Sequence, residues 1–249
     1  MIFRQLIEPL SRTYTYLLGC EETKQAVLID PVLPAWERDL EVLQGLGLVL
    51  AYTVETHIHA DHITAAQRLR RETGCRIAVP ALDGLGCADV HIEDRRPLTV
   101  GAIVLEPRHT PGHTPAHMAY VVDERVFTGD SLLIDGCGRT DFQGGSARAL
   151  YESVHERLFS LPDECLVYPG HDYQDRHVSS IAQERRRNPR LGGGRTLEEF
   201  LAIMGELRLP PPRFIDYAVP GNRACGECLP DMPNSLQQYC DEMKASRQG

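Results

Sequence analysis

The chain has 249 residues, of which 42% are hydrophobic and 24% charged, the make-up of one large globular domain or two small ones. Its net charge of -9 argues against nucleic acid or an anionic membrane as the main partner, but leaves room for a small anionic substrate met by local arginines. No run approaches the roughly 18 apolar residues of a membrane span, and the first nine residues look like neither a signal peptide nor a transit peptide, so a cytoplasmic protein is expected.

Short apolar runs alternate with turns through the first third. Thr13–Leu18 and Ala26–Ile29 read as strands. Trp36–Leu46 has helical spacing, with Trp36, Leu40 and Leu43 on one face. Leu48–Val54 reads as a buried strand, and Ile63–Thr73 as a helix ended by Gly74. Ile77–Val79, Ile103–Glu106, Met118–Val122, Val126–Thr128 and Leu166–Tyr168 are further strands, and Ala147–Phe159 is a helix stopped before Pro162. Val178–Arg187 and Leu197–Leu207 read as helices, separated by Gly192-Gly193-Gly194. From about Gly221 the chain reads as a tail, with a short helix around Leu236–Met243. Strands interspersed with helices predict a mixed, layered α/β domain.

Eight cysteines are spread too thinly for a disulfide scaffold. Cys225 and Cys228 form one CxxC pair, which without a second pair is weak evidence for zinc or a redox centre. Two thiols that stay reduced are expected.

The chemistry concentrates in Thr56-His57-Ile58-His59-Ala60-Asp61-His62, directly after a strand-like run. Imidazoles and a carboxylate this close can converge on a transition metal. In extended backbone, residues two apart share a face, so His57 and His59 can point the same way. Three further loops follow: Thr110-Pro111-Gly112-His113-Thr114, Thr128-Gly129-Asp130, and Pro169-Gly170-His171-Asp172-Tyr173. Each puts a His or Asp in a glycine-containing turn beside an apolar run, where functional groups usually sit on a rigid scaffold.

Together the four motifs resemble the metallo-β-lactamase fold superfamily. The resemblance implies a four-layer αββα sandwich with a metal site at one edge of two packed sheets. Within it, the Phe127–Gln143 stretch, containing Leu132-Leu133-Ile134-Asp135-Gly136-Cys137-Gly138-Arg139-Thr140-Asp141-Phe142, resembles the persulfide dioxygenase (sulfur dioxygenase) family. So do Tyr151–Glu156, Asn188-Pro189-Arg190-Leu191 and Ile215–Asn222. The similarity runs over about residues 1–228, a single catalytic domain, and leaves 229–249 as a tail without a domain of its own.

This resemblance implies one Fe(II) per chain, held by His57, His113 and Asp130. Two imidazoles and a carboxylate leave positions open for O₂ and a substrate sulfur. The implied reaction oxidises glutathione persulfide with O₂ to sulfite and glutathione, the metal performing the redox step and the protein supplying geometry. A homodimer is also what the resemblance suggests.

His59, Asp61, His62 and His171 would complete two metal sites in dinuclear relatives, so the ligand residues alone leave one ion or two open. The resemblance favours one, with these four hydrogen-bonding water, substrate or one another. Arg139 either supports the Asp130 loop or meets a glutathione carboxylate. Tyr173 either reaches substrate through its hydroxyl or caps the pocket wall. His117 is expected close to the metal ligands. His91, His109, His155 and His177 are expected to be packing or surface groups, Cys137 a small buried thiol, and Arg185–Arg187 a solvated helix face.

Two rival functions use the same motifs. A glyoxalase II-type thioester hydrolase would hold two metals and a bridging hydroxide. A non-catalytic metal-binding or sensor protein would be expected to lack ligands, and none is missing.

Overall fold

The structure is a computed structural model, and it describes residues 1–212 and 214–228. Six strands form the first sheet: β1 (Ile2–Ile7), β2 (Tyr14–Gly19), β3 (Gln25–Ile29), β4 (Val49–Val54), β5 (Arg76–Pro80) and β6 (Val90–Ile92). They lie in sequence order, β1 to β3 antiparallel and β3 to β6 parallel. The second sheet contains β7 (Leu98–Val100), β8 (Ile103–His109), β9 (Met118–Val122), β10 (Arg125–Gly129), β11 (Leu166–Pro169) and β12 (Ser179–Ser180). Only β10 and β11 pair parallel in it.

Alternation along the strands explains the layering. On β2, Tyr14, Tyr16 and Leu18 point into the space between the sheets, where they meet Tyr120 and Phe127 of the second sheet. Leu17 points the other way, into a cluster with Trp36 and Leu43 of α1 (Trp36–Gly45), Leu69 of α2 (Ala66–Thr73) and Ala218. The second sheet does the same. Tyr120 faces inward while Ala119 and Val121 pack against Leu150 of α3 (Ala147–Ser153), Ile181 of α4 (Ile181–Arg187) and Phe200 of α5 (Leu197–Glu206). Helices thus cover the outer face of each sheet, which is the αββα sandwich expected.

Several boundaries differ for physical reasons. The helix expected from Ile63 starts at Ala66, because Leu33 donates to Ile63 O at 2.8 Å and Thr64 bridges Val32. The helix expected over Ala147–Phe159 tightens its α-pattern only to Ser153 and continues as a π-helical turn, Val154–Leu158. The one expected from Val178 begins at Ile181, since Ser179 and Ser180 first pair with β11 and Ser180 then caps the helix.

The C-terminal end departs furthest from expectation. Helix α6 (Ile215–Arg223) runs through the point where a tail was expected. Cys225 is buried and joined to Cys87 by a disulfide, and Cys228 is disulfide-bonded too. The two thiols expected to stay reduced are therefore oxidised. The partner of Cys225 lies 138 residues away, a pairing that local spacing does not encode. The short helix expected at 236–243 lies outside the described residues, as does the rest of 229–249.

Candidate metal centre

The two sheets are stitched together at the edge where the motif loops emerge. Met118 donates its amide to Thr56 O at 2.8 Å, and Tyr14 to Gly170 O at 2.9 Å. His57 follows β4, His113 lies in the β8–β9 connection, Asp130 follows β10 and His171 follows β11. One ligand atom from each of His57, His113 and Asp130 lies within 4.8 Å of the others.

Hydrogen bonds fix which atoms face inward. Thr56 Oγ1 donates to Asp30 Oδ2 at 2.8 Å, so it accepts from His57 Nδ1 at 2.9 Å. His113 Nδ1 donates to the Arg139 carbonyl at 2.7 Å. Both rings then present an unprotonated Nε2, the form a metal needs. His57 is kept neutral by burial first, and then by His59 and His113 beside it, which together push its pKa well below the usual histidine range. Asp130 Oδ1 is taken by His171 Nδ1 at 2.7 Å, leaving Oδ2, which lies 3.7 Å from His113 Nε2. Burial opposes the Asp130 charge, but His171 and His113 outweigh it and hold the carboxylate ionised. Two neutral imidazole nitrogens and one carboxylate oxygen fit a divalent transition metal.

The remaining motif residues are tied to one another. His171 Nε2 meets Asp61 Oδ2 at 3.0 Å and Thr13 Oγ1 at 3.0 Å, so both its nitrogens are engaged. His62 Nδ1 contacts the same Asp61 oxygen at 3.1 Å. Burial disfavours charge on His171, yet Asp130 and Asp61 raise its pKa well above the ordinary value. His59 turns elsewhere. Although its ring centroid is 4.0 Å from that of His57, its Nε2 sits 3.1 Å from Asp30 Oδ1. Burial resists its protonation, but Asp30 and Glu55 raise it to about 9.

Asp30 and Asn222 were not singled out as site residues in the sequence, whereas His117 lies beside the metal ligands as expected. Asp30 sits just past β3 and accepts from both the amide and the hydroxyl of Thr56. His117 accepts from the Asp130 amide through Nε2 at 3.1 Å. Gly129 has φ +48, and a Cβ there would lie 2.7 Å from both His117 Nε2 and Thr56 Oγ1. Asn222, from α6, bonds to three backbone groups of the 59–64 loop. A buried Asp at a strand end and an Asn in the family-like 215–222 stretch were the available signals, but neither says what it faces.

A cavity of 530 Å³ opens beside Asp130 and His113, lined by the 133–142 loop, by Tyr173 and Arg176 and by residues 209–212. Arg139 donates to both Asp141 oxygens at 2.6 Å and to Pro210 O at 2.6 Å, and its guanidinium lies over the Phe142 ring. It clasps two cavity walls together. Tyr173 is exposed and stacks on His171, centroids 5.9 Å apart. Burial pushes the Cys137 thiol up to about 11, which makes it a poor nucleophile. Among the other histidines, His177 meets Tyr14 OH and His155 stacks on Tyr151, while His91 is exposed. Arg185 and Arg187 pair with Asp163 and Asp135 on the surface of α4.

The sequence profile of the metallo-beta-lactamase superfamily matches residues 9–171. The human protein named persulfide dioxygenase ETHE1, mitochondrial, is 51% identical over 233 residues, covering 92% of this chain and 91% of that one. A crystal structure of ETHE1 from Myxococcus xanthus superimposes with a TM-score of 0.88 at 53% identity, covering 91% of this chain and 100% of that one. A more distant structure, TTHA1623 in a di-iron-bound form, is 30% identical with a TM-score of 0.62, covering 76% of this chain and 99% of that one. The chain belongs to the metallo-beta-lactamase superfamily and, within it, to the persulfide dioxygenases.

Proposed function

We propose that this persulfide dioxygenase oxidises glutathione persulfide with O₂, giving sulfite and glutathione, at a single Fe(II) held by His57, His113 and Asp130. The observation that carries the single-ion reading is the state of His171. Both its ring nitrogens are engaged, one by Asp130 and one by Asp61 and Thr13. With no ring nitrogen left over, His171 could join a second ion only by giving up Asp130 or the Asp61–Thr13 pair.

Fe(II) in such a site supplies one-electron chemistry and open positions where O₂ and a sulfur anion can be brought together. The chain's own groups prepare the ground. Thr56 and the Arg139 carbonyl hold the two imidazoles in one tautomer, and His171 and the His117-anchored loop orient the Asp130 carboxylate. The cavity is of small-molecule size. Its lining includes the apolar side chains of Leu133, Ile134, Phe142 and Pro210–Pro212, which offer a bound sulfur a surface without hydrogen-bonding groups. Arg139 keeps that wall closed rather than carrying a proton.

The test is oxygen uptake by anaerobically purified protein with glutathione persulfide, alongside elemental analysis. One iron per chain and persulfide-dependent uptake are expected. Alanine at His113 or Asp130 should abolish both. Two zinc ions per chain, thioester hydrolysis and no oxygen uptake would overturn the reading in favour of a glyoxalase II-type hydrolase.

A further inference from the structure

The stretch 138–143 touches the segments of all three proposed ligands. Gly138 donates its amide to Asp130 O at 2.7 Å. The Arg139 carbonyl accepts from His113 Nδ1 at 2.7 Å, and the Phe142 ring meets His113 at a right angle, centroids 5.9 Å apart. Gln143 Nε2 then donates to Ile58 O at 3.1 Å, and Ile58 directly follows His57. One short loop thus registers Asp130, His113 and the His57 backbone against one another. The first two hydrogen bonds use main-chain groups of the loop, which other residues could supply. The third depends on one side chain.

The backbone at Gln143 makes that side chain informative. Its φ is +51, in the left-handed region that glycine enters freely and a Cβ resists. Gly144 follows at φ +73, and Gly145 donates to Phe142 O at 2.9 Å to close the turn. Backbone geometry alone would favour glycine at 143 as at 144, yet a long amide stands there. A residue held against its backbone preference beside a reactive centre points to a task for its side chain. The amide has one workable orientation. Oε1 is buried without a partner, and turning the group over would set that oxygen against Ile58 O, acceptor against acceptor. Gln143 thus satisfies Ile58 O while its own oxygen stays unpaired.

Other groups hold the motif at different points. Thr56 Oγ1 accepts from His57 Nδ1 and sets the ring. The Ile58 side chain packs into the apolar cluster of Ala66, Ile77 and Val79. Asn222 holds the carbonyls of His59 and His62, which ties the motif to α6 and not to the loop that serves His113 and Asp130. Gln143 links the His57 backbone to that loop.

We infer that Gln143 is a positioning residue of the metal centre, which fixes His57 relative to His113 and Asp130 by tying Ile58 O to the loop that holds both. The inference rests on the reading of His57, His113 and Asp130 as the ligands. Gln143 takes no chemical part in the reaction. It sets where one ligand stands against the other two, and ligands left loosely placed hold an ion less tightly.

The experiment compares wild type with Gln143→Gly and Gln143→Met. Glycine removes the hydrogen bond at a backbone position that suits it, so the loss is not compounded by strain. Methionine keeps the side-chain length and the left-handed backbone but has no donor. Iron affinity is read by anaerobic competition with a chelator, the iron environment by electron paramagnetic resonance of the nitric oxide adduct, and the framework by the melting temperature of the metal-free proteins. Both variants should hold iron roughly 10–100-fold less tightly than wild type and give an altered spectrum, while metal-free Gln143→Gly melts close to wild type. Wild-type affinity and spectrum in both variants would overturn the inference and leave the ligand set standing. A metal-free Gln143→Gly that melts well below wild type, with the iron spectrum unchanged, would overturn it too, because the bond would then serve stability alone. A wild type that binds no iron would sink the ligand set, and the inference with it.

Discussion

The backbone amide of Asp130 donates to Nε2 of His117 at 3.1 Å, and His117 Nδ1 in turn meets Thr110 Oγ1 at 2.9 Å. The ring is fully buried. Burial, helped by neighbouring His113, pushes its pKa down to about 3, against the opposing pull of Asp130 and Asp30. It stays neutral and accepts rather than donates at Nε2. His117 thus fixes the backbone of a metal-ligand loop without offering a nitrogen of its own. His117→Ala should strand a buried amide and a buried hydroxyl, lowering stability by about 1–3 kcal/mol. Metal affinity should fall roughly 10–100-fold, as for other groups that orient a ligand. Thermal melts and competition against a chelator measure both, and unchanged metal affinity would remove His117 from the ligand-holding framework.

Arg139 spends its donors on Asp141, Leu209 O and Pro210 O. A lysine cannot reproduce that fork. Arg139→Lys should therefore loosen the 209–212 wall and raise KM for the persulfide on the order of tenfold, with kcat and iron content changing much less. A fall in kcat with KM unchanged would indicate a direct part in the chemistry instead.

Asp39 gives a pH signature remote from the centre. Its side chain is buried in α1, and only Oδ1 is bonded, to Arg38, while Oδ2 has no partner. Burial raises its pKa to about 6, with Arg38 opposing. The folded state therefore holds a proton that the unfolded chain, at an ordinary value of 3.8, has already lost. Stability attributable to this group declines as pH rises from about 4 to about 6, and the full penalty remains above that window. Asp39→Asn should be more stable than wild type by about 1–2 kcal/mol at pH 7.5, the gain shrinking towards pH 4. Chemical denaturation at the two pH values checks it, and a gain of equal size at both would refute the charge-burial argument.

The four motif loops and most strands were readable because alternation and glycine-bearing turns are local signals. Met118–Val122 is a strand over the expected residues, with Tyr120 inward and Ala119 outward. What escaped were long-range partnerships. The strand Ile2–Ile7 carries Arg4 and Gln5 in its middle and is specified by pairing with β2 rather than by its own pattern. Asp30 and Asn222 act on residues 26 and 160 positions away. The disulfide from Cys87 to Cys225 spans 138 residues. A shared face for His57 and His59 followed from strand geometry, but their different partners follow from Asp30 and Glu55, which spacing within the motif does not reveal.

That disulfide gives a stability prediction of its own. It ties the segment after α6 to the loop before β6, next to Asn222 and the 59–64 backbone. Closing so long a loop constrains the unfolded chain, a contribution of about 2–5 kcal/mol. The double variant Cys87→Ser/Cys225→Ser should lose stability of that order under non-reducing conditions. Equal melting temperatures for variant and wild type without reductant would show that the bond contributes nothing.

Gly136 and Gly138, two residues apart in the cavity-wall loop, should respond oppositely to one added methyl group. A Cβ at Gly138 would lie 2.4 Å from Asp130 O, 2.8 Å from His113 Nδ1 and 3.0 Å from Asp130 Cβ. It would wedge between two proposed ligands, and the backbone bond from Gly138 N to Asp130 O at 2.7 Å leaves the loop no slack. A Cβ at Gly136 would meet only Leu133 Cβ, at an ordinary 3.9 Å. Gly138→Ala should therefore cost about 1–3 kcal/mol of stability, with metal affinity reduced at least tenfold by misplacement of a ligand. Gly136→Ala should keep wild-type metal content and oxygen uptake. Because both changes are the same methyl in the same loop, equal metal content in the two variants would mean that Asp130 and His113 are not the pair that holds the ion.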